Sequence, residues 1–258
     1  MTLSVCIITF NEEANIQRTL ESVKNIADEI IVVDSHSTDT TVVLAQSWGA
    51  KVFVEDWKGF APQKNSALAK ASCDWILSLD ADEEVSPELA ESIRALLRSP
   101  STPPLNGYRM ARRNLYMGRW IKRAGYYPDR KLRLVRHGTA QFELRAVHED
   151  MKMEGPTGLL SGDLIHHAYP TLEGFIEHAN HYSSLGAGMV IEKHRVGFSL
   201  VNIVLRPLVR FIYSYFFRLG FLDGREGLLV YMTHAMYVSW KYAKAWEMSR
   251  NLRNAKTD

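Results

Sequence analysis

The chain has 258 residues, of which 46% are hydrophobic, enough to bury a substantial core in one domain with a C-terminal appendage. Its net charge of only +2 argues against nucleic acid as a partner, because nucleic-acid-binding domains are usually strongly basic. The two cysteines, Cys6 and Cys73, lack the spacing of a metal site or a disulfide framework. We therefore expect buried thiols in a reducing compartment, and residues 1–9 do not read as a signal peptide.

The first eighty residues alternate between predicted strands and helices. Short β-branched runs predict strands, and apolar residues at helical spacing predict the helices between them. The strands are expected at 3–9, 29–34, 51–55 and 75–79, and the helices from residue 11, at 38–48 and at 63–71. This alternation predicts an α/β fold with a mainly parallel central sheet, whose ligands lie beyond the carboxyl ends of the strands.

Polar side chains follow three of the four predicted strands, at the edge where ligands are expected. They are Asn11 and Glu12 after the first strand, Asp34 after the second, and Asp80 and Asp82 after the fourth. Asp34 precedes a run of hydroxyl residues, 37–41, and could accept hydrogen bonds from a base or a ribose. Capping of the next helix is the alternative interpretation of that run.

Asp80 and Asp82 form the most informative pair. Carboxylates spaced i, i+2 at the end of a strand project from one side, roughly 7 Å apart, and one divalent cation with attached phosphates can bridge them. The alternative is a solvated turn, since Ser86 and Pro87 have the pattern of an N-cap and a first helical residue. No Gly-x-Gly-x-x-Gly and no Walker loop follows any strand, which disfavours a Rossmann dinucleotide site.

Several motifs resemble a known family. Four of them resemble the nucleotide-sugar domain of inverting family 2 glycosyltransferases, which have the GT-A fold: Thr9-Phe10-Asn11-Glu12-Glu13, Val33-Asp34-Ser35, Gln63-Lys64-Asn65 and Asp80-Ala81-Asp82-Glu83. Later segments resemble the subgroup that adds glucose to the heptose inner core of bacterial lipopolysaccharide: Tyr127-Pro128-Asp129, Val147-His148-Glu149, Ile165-His166 and Gly220-Phe221-Leu222-Asp223-Gly224. The chain departs from many relatives at His36 and Thr40, where they carry Gly or a small residue.

The resemblance implies a UDP-sugar donor and a Mg²⁺ or Mn²⁺ cofactor. It places Asp34 at the uracil or ribose, and Lys64 at the ribose or diphosphate. Asp80 and Asp82 would hold the cation that bridges the diphosphate. The other implied ligands of donor and cation are Thr9, Asn11 and Glu12, which would line the nucleotide pocket, and His166, which would join the cation or the diphosphate.

The resemblance also implies that Glu149 is the catalytic base. An ordinary Glu titrates near 4.3, so apolar neighbours that raise its pKa would make it a better base for a sugar hydroxyl. His148 is the competing candidate, or orients Glu149, and Asp150 is a third possibility. The His148-Glu149 pair is not a zinc-protease helix, because position 152 is Lys rather than a second His.

A basic run lies in the middle of the chain. Ten Lys or Arg residues stand against a single acid between Arg109 and Arg136. A solvated basic face is the usual explanation. A groove for an anionic acceptor is the functional one, since lipopolysaccharide core carries phosphates, and its candidates are Arg112, Arg113 and Arg133.

The C-terminal region combines aromatic residues with positive charge. Residues 198–246 hold twelve of the 27 aromatic residues, and residues 195–244 hold seven basic residues against two acids. No run reaches the roughly 18 apolar residues of a membrane span. We therefore expect helices that lie in a membrane interface. With the lipid-anchored acceptor that the resemblance implies, we expect a peripheral protein of the cytoplasmic face of the bacterial inner membrane. Packing of these helices against protein, in this chain or a second copy, is the alternative.

The predicted organisation has three parts. Residues 1–105 form the donor-binding half, residues 106–194 the acceptor-binding and catalytic half of the same domain, and residues 195–258 the helical membrane-proximal region. The Pro/Ser-rich break at 100–104 joins the two halves. Alternative functions are a related glycosyltransferase acting on a polyprenyl phosphate or another glycan, a nucleotidyltransferase, and a non-catalytic module that binds sugar nucleotides.

Overall fold

The computed structural model describes residues 1–99, 105–143, 150–193 and 197–254. They divide into two compact units, neither of which is continuous in sequence. The first unit comprises Met1–Arg113 and Pro128–His166, and the second comprises Asn114–Tyr127 and His167–Asp258.

Four parallel strands form one half of the sheet in the first unit. In chain order they are β1 (Leu3–Thr9), β2 (Glu29–Asp34), β3 (Lys51–Val54) and β4 (Trp75–Asp80). Their spatial order is β3-β2-β1-β4. The register pairs Thr9 with Asp34 on one side and Ile8 with Asp80 on the other, so three strand ends meet at one edge. The expected α/β fold is confirmed.

The helices between these strands cover both faces of the sheet. They are α1 (Ile16–Val23), α2 (Thr41–Ser47), α3 (Phe60–Ala69) and, after β4, α4 (Pro87–Arg98). Because successive side chains of a strand point to opposite faces, Leu3, Val5 and Ile7 of β1 join one core, which includes side chains of α1 and α4. Cys6 joins the other core, which includes side chains of α3.

Three helix starts differ from the sequence expectation, and the first is that of α1, which begins at Ile16 instead of residue 11. α2 begins at Thr41 instead of residue 38, and the residues before it are bound to the preceding loop, the Thr38 N–H by Asn11 and the Thr40 N–H by Glu13. α3 begins at Phe60 instead of residue 63, after Gly59 with φ +97°. The predicted start of α4 is confirmed, since the Ser86 hydroxyl accepts a hydrogen bond from the Leu89 N–H at 3.2 Å.

Antiparallel strands extend the sheet beyond β4. They are β5 (Glu83–Val85), β6 (Gly107–Tyr116), β8 (Asp129–Arg136) and β11 (Gly158–Tyr169), in the spatial order β4-β8-β6-β11-β5. β8 pairs with β4 in antiparallel register, with Leu77 opposite Leu134. A short β7 (Arg119–Trp120) pairs with β6, and β9 (Ala140–Phe142) pairs with β10 (Met151–Met153). The break at 100–104 lies outside the described residues.

The second unit is mainly helical. α5 (Leu172–Lys193) and α7 (Gly224–Asn254) are its two long helices, and α6 (Arg206–Ile212) is short. α6 lies between two π-helical turns, Val201–Leu205 and Tyr213–Phe217, and a 3₁₀ turn, Gly220–Asp223, leads into α7. Among the described helices, none is both long enough and apolar enough to cross a membrane.

Candidate active site

Asp34 lies at the carboxyl end of β2 and is completely buried. Its carboxylate accepts hydrogen bonds from the Thr9 hydroxyl at 2.8 Å and from the Ser37 N–H at 2.8 Å and hydroxyl at 2.5 Å. Two carboxylate oxygens offer about four acceptor positions, of which these bonds occupy three. Thr9 and Asp34, which were predicted to share the nucleotide pocket, are thus in direct contact.

The loops after β1 and β2 are tied together beside Asp34. The Asn11 side-chain oxygen accepts from the Thr38 N–H at 2.8 Å, and the Ser37 hydroxyl accepts from the Asn11 N–H at 2.8 Å. Asn11 and His36 both have positive φ, at +53° and +60°. Glycine adopts such angles without cost, which gives a physical reason for Gly or a small residue at the position of His36.

Asp80 lies between two cationic side chains. The Lys64 ammonium is 2.6 Å from its Oδ1 and the Arg133 guanidinium 2.6 Å from its Oδ2. Burial alone would raise the pKa of Asp80, but Arg133 and then Lys64 outweigh it and hold the pKa well below its usual value. Asp80 is therefore a carboxylate over the whole physiological range.

The network continues through two acids to which the sequence analysis assigned no role. Glu83 is completely buried, lies 2.8 Å from Arg133 and 3.4 Å from Arg112, and accepts from the Asp80 N–H at 3.0 Å. Arg112 also pairs with Asp129 at 2.8 Å. Asp129 is the single acid in the basic run. A lone acid among basic residues was the sequence feature that could have indicated an ion pair.

Asp82 contacts His166 across the sheet edge. The antiparallel pairing of β11 with β5 places His166 opposite Glu83, and the His166 Nε2 lies 3.2 Å from the Asp82 Oδ2. Burial raises the pKa of Glu12, and the nearby charges of Asp82, Asp39 and Asp80 raise it further. A cation at this edge would relieve the repulsion among these carboxylates.

The donor set at Asp82 and His166 suits a divalent cation. Mg²⁺ is usually bound by one or two carboxylates together with substrate phosphates, and Mn²⁺ also accepts oxygen ligands and imidazole. Over the described ranges, no group of three or more His, Cys, Asp and Glu side chains is arranged to hold a metal. Asp82 and His166 supply two such ligands, 3.2 Å apart, so a phosphate substrate would have to supply others.

The predicted acceptor arginines all form ion pairs with carboxylates. Arg133 is buried between Asp80 and Glu83. Arg113 is partly exposed and pairs with Asp163 at 2.5 Å, while Arg112 bridges Glu83 and Asp129. Their contact with an acceptor stays a prediction.

Of the three candidate bases, only Asp150 lies within the described residues. Glu149 and His148 lie outside the described residues, whereas Asp150 is exposed at the start of the next described segment. The Asp150 carbonyl accepts from the Glu143 N–H at 3.2 Å. The assignment of the base therefore stays a prediction.

Comparisons with known proteins show the family. Residues 4–137 match the model of glycosyl transferase family 2. An uncharacterized glycosyltransferase of Rickettsia typhi, RT0209, is 33% identical over 98% of this chain and 89% of its own length. The lipopolysaccharide core biosynthesis glycosyltransferase LpsC of Rhizobium meliloti is 33% identical over 96% of this chain and 93% of its own length. The chain belongs to glycosyl transferase family 2 and is a glycosyltransferase, as its motifs predicted.

A solved structure shows a partial similarity. It is that of glucosyl-3-phosphoglycerate synthase from Mycobacterium tuberculosis with Mn²⁺, UDP-glucose and phosphoglyceric acid. The match is 26% identical, covers 43% of this chain and 44% of that one, and has a TM-score of 0.36.

Proposed function

We propose that the chain is an inverting glycosyltransferase that moves a sugar, glucose by expectation, from a UDP-sugar to the heptose inner core of lipopolysaccharide. The observation that carries the proposal is the meeting of Asp34 and Asp80 at one sheet edge, with Asp82 against His166 in the turn that follows. The acceptor class is supported by the near full-length similarity to LpsC.

On the donor side, Asp34 binds the uracil or ribose with its remaining acceptor position, and Thr9 fixes its orientation. Asn11 and Glu12 line the same pocket from the loop after β1, which is bound to Ser37 in the loop after β2. Lys64 pairs with the donor diphosphate, because its ammonium group contacts Asp80 at the carboxyl ends of the parallel strands.

Asp80, Asp82 and His166 would hold the Mg²⁺ or Mn²⁺. When bound, the cation stabilises the negative charge that develops on the departing UDP. Arg133 holds the Asp80 carboxylate ionised and in place, while Glu83 accepts hydrogen bonds from Arg133 and from the Asp80 backbone N–H. In this role Arg133 is a positioning residue as well as a candidate for acceptor contact.

The transfer forms one bond and breaks another. The acceptor hydroxyl oxygen attacks the anomeric carbon from the face opposite UDP, the bond from that carbon to the phosphate oxygen breaks, and the hydroxyl proton passes to the base. Glu149 is the proposed base, with His148 and Asp150 as alternatives. Attack from the opposite face inverts the anomeric configuration.

Activity against a panel of nucleotide sugars tests the proposal. UDP release should depend on both a UDP-sugar and a heptose-containing core oligosaccharide, and the product should carry one added sugar. Release of pyrophosphate would indicate a nucleotidyltransferase, and UDP binding without turnover would indicate a non-catalytic module. Turnover with a polyprenyl phosphate but not with the core oligosaccharide would identify the related glycosyltransferase instead.

A further inference from the structure

Asp82 lies in a turn that joins β4 to β5. β4 ends at Asp80, which is also the last residue paired with β1, and β5 begins at Glu83. Ala81 and Asp82 form the turn between them, and Ala81 is buried. A buried backbone carbonyl outside a strand needs a donor from elsewhere in the molecule. The position of Asp82 therefore depends on what binds the backbone of this turn.

The donor to this turn is Thr19 of α1. Its hydroxyl donates a hydrogen bond of 2.6 Å to the Ala81 carbonyl oxygen. The Thr19 side chain is completely buried, and so is the bond. A buried hydrogen bond is stronger than one in water, and losing its donor leaves a buried carbonyl without a partner. The bond therefore ties α1 firmly to the turn that carries Asp82.

The bond acts directly on Asp82 because a peptide group is planar. The carbonyl of Ala81 and the nitrogen and Cα of Asp82 belong to one peptide plane. Fixing the carbonyl oxygen therefore fixes the plane from which the Asp82 side chain departs. That side chain reaches His166, with 3.2 Å between the Asp82 Oδ2 and the His166 Nε2. Thr19 thus lies one peptide group away from a residue proposed to bind the cation.

A second hydroxyl of α1 supports the neighbouring strand and provides a comparison. The Ser22 hydroxyl accepts a hydrogen bond of 3.1 Å from the Val85 N–H, and it donates one of 2.7 Å to the Thr19 carbonyl. Val85 is the last residue of β5 and follows the turn. Both hydroxyls therefore join α1 to the same segment of chain, but Thr19 binds the peptide group of Asp82 and Ser22 binds the end of β5.

We propose that Thr19 is a positioning residue for the divalent cation. Its hydrogen bond to Ala81 holds Asp82 where the carboxylate and the His166 imidazole can bind one ion. This inference rests on the proposed function, because the cation-binding role of Asp82 is part of it. Removing a group that orients a metal ligand usually lowers metal affinity or activity by about 10–100-fold. Thr19 itself is assigned no contact with donor, acceptor or cation.

The first test measures Mn²⁺ binding to the full chain at saturating UDP, from the EPR signal of free Mn²⁺ and with UDP alone as the blank. Thr19→Val keeps the shape without the hydroxyl and should weaken Mn²⁺ binding by about tenfold or more. Thr19→Ser keeps a hydroxyl and should restore most of the affinity.

The matched control is Ser22→Ala, which loses the bond to Val85 and should bind Mn²⁺ like the unmodified chain. Urea unfolding should show a loss of stability in both Thr19→Val and Ser22→Ala, since each lacks one hydroxyl of α1. Unchanged Mn²⁺ affinity in Thr19→Val, or an equal loss in the two variants, would overturn the proposal. If Thr19→Val does not fold, Thr19→Ala takes its place in each comparison.

The second test separates this role from the proposed function. Calorimetry with UDP in the absence of metal should give the same affinity for Thr19→Val and the unmodified chain, and a loss there would contradict a role confined to the cation. If the unmodified chain binds Mn²⁺ with UDP but transfers no sugar, the proposed function fails, and the Mn²⁺ affinities still decide the role of Thr19. If the unmodified chain binds no Mn²⁺, the positioning role fails together with the cation.

Discussion

At the scale of single residues, donor binding and chemistry are assigned to different carboxylates. Asp34 is buried against Thr9 and Ser37, whereas Glu149 is assigned to the acceptor hydroxyl. We expect Glu149→Gln to bind UDP-sugar with unchanged affinity and to lose transfer. Asp34→Ala should weaken UDP binding itself. Calorimetry with UDP and a transfer assay measure the two effects, and normal transfer by Glu149→Gln would move the base to His148 or Asp150.

Asp82 is proposed to act by binding the divalent cation. Because it contacts His166 and lies outside the Lys64–Asp80–Arg133 chain of ion pairs, Asp82→Asn should keep the fold. Turnover should fall by at least ~100-fold, the effect of removing one preorganised electrostatic group. Glu91→Gln, which removes an exposed carboxylate paired with Arg94, is the control. Full activity in EDTA, or near-normal turnover of Asp82→Asn, would contradict metal assistance.

The sequence was sufficient for the strand-end carboxylates but not for their partners. Asp34, Asp80 and Asp82 follow recognisable strands, so their common edge could be predicted. The contact of Asp80 with Arg133 depends on the register that places Leu77 opposite Leu134, and periodicity contains no information on such register between distant strands. For that reason the arginines were predicted to contact an acceptor, and their ion pairs could not be foreseen.

At the scale of elements, the start of α4 is fixed on β11 by a close backbone contact. Asp163 and Ser86 exchange two hydrogen bonds, each of 3.1 Å. Gly162, with φ +91°, allows this approach, because a Cβ atom there would lie 2.2 Å from the Leu89 nitrogen. The contact matters for the site because β11 also carries His166.

Gly162→Ala should therefore lower the free energy of unfolding by about 2–5 kcal/mol, from backbone strain at positive φ and from the clash. Gly49→Ala is the matched control, since Gly49 has φ +79° with open space around it. It should lose only the strain, about 1–2 kcal/mol. Urea unfolding measures both, and equal losses would show that the close approach to α4 contributes nothing.

α3 is held to the end of β3 by Glu55. The Glu55 carboxylate pairs with Lys70 at 2.5 Å and accepts from the Ser66 hydroxyl, and these two contacts lower its pKa to about 2 from 4.5. A carboxylate whose pKa is lower in the folded than in the unfolded state stabilises the fold at pH values above its unfolded-state pKa. This stabilisation is lost as the pH falls through the folded-state pKa. This contribution should be complete above about pH 4.5 and disappear towards about pH 2.

Urea unfolding as a function of pH checks this. Glu55→Gln should lower the stability at neutral pH and reduce the loss between about pH 4.5 and about pH 2. Glu21→Gln, which removes an exposed carboxylate 3.6 Å from Lys24, should leave the pH dependence unchanged. The same pH dependence in Glu55→Gln as in the unmodified chain would contradict the assignment.

Element types were easier to predict than element limits. The helical spacing of Ile16, Leu20 and Val23 predicted α1. All three side chains are buried in the structure. The limits of α2 were not predicted: residues 38–40 lie in a loop whose N–H groups bond to Asn11 and Glu13 of the loop after β1. Local sequence contains no information on contacts between two such loops.

At the scale of the whole molecule, the two units interleave along the chain. Residues 114–127 belong to the same unit as the C-terminal helices, although about forty residues of the first unit follow them. Changes in composition along a sequence can predict only units that are contiguous in the chain. The predicted division at 105 and 194 rests on composition and stays a prediction.

The last expectation concerns the membrane, and it follows from the α6 segment, defined as residues 197–222. This segment contains three arginines and no acid. Its exposed apolar residues are Phe198, Leu200, Val201, Val204, Leu205, Leu208, Val209, Ile212, Tyr213, Phe216, Phe217, Leu219, Phe221 and Leu222. Exposed apolar area of this extent marks an interaction site, and the excess positive charge favours an anionic bilayer.

The chain should therefore sediment with anionic liposomes at low salt and be largely released at high salt, because each Arg near the surface contributes on the order of 1 kcal/mol that salt screens. Release should be less complete if Phe211, Phe216 and Phe217 insert among the acyl chains. Arg206→Glu combined with Arg210→Glu should abolish sedimentation and leave UDP binding intact, since both residues lie outside the donor-binding unit. Sedimentation that responds neither to salt nor to these charge reversals would favour the alternative, in which a second copy of the chain covers the α6 segment.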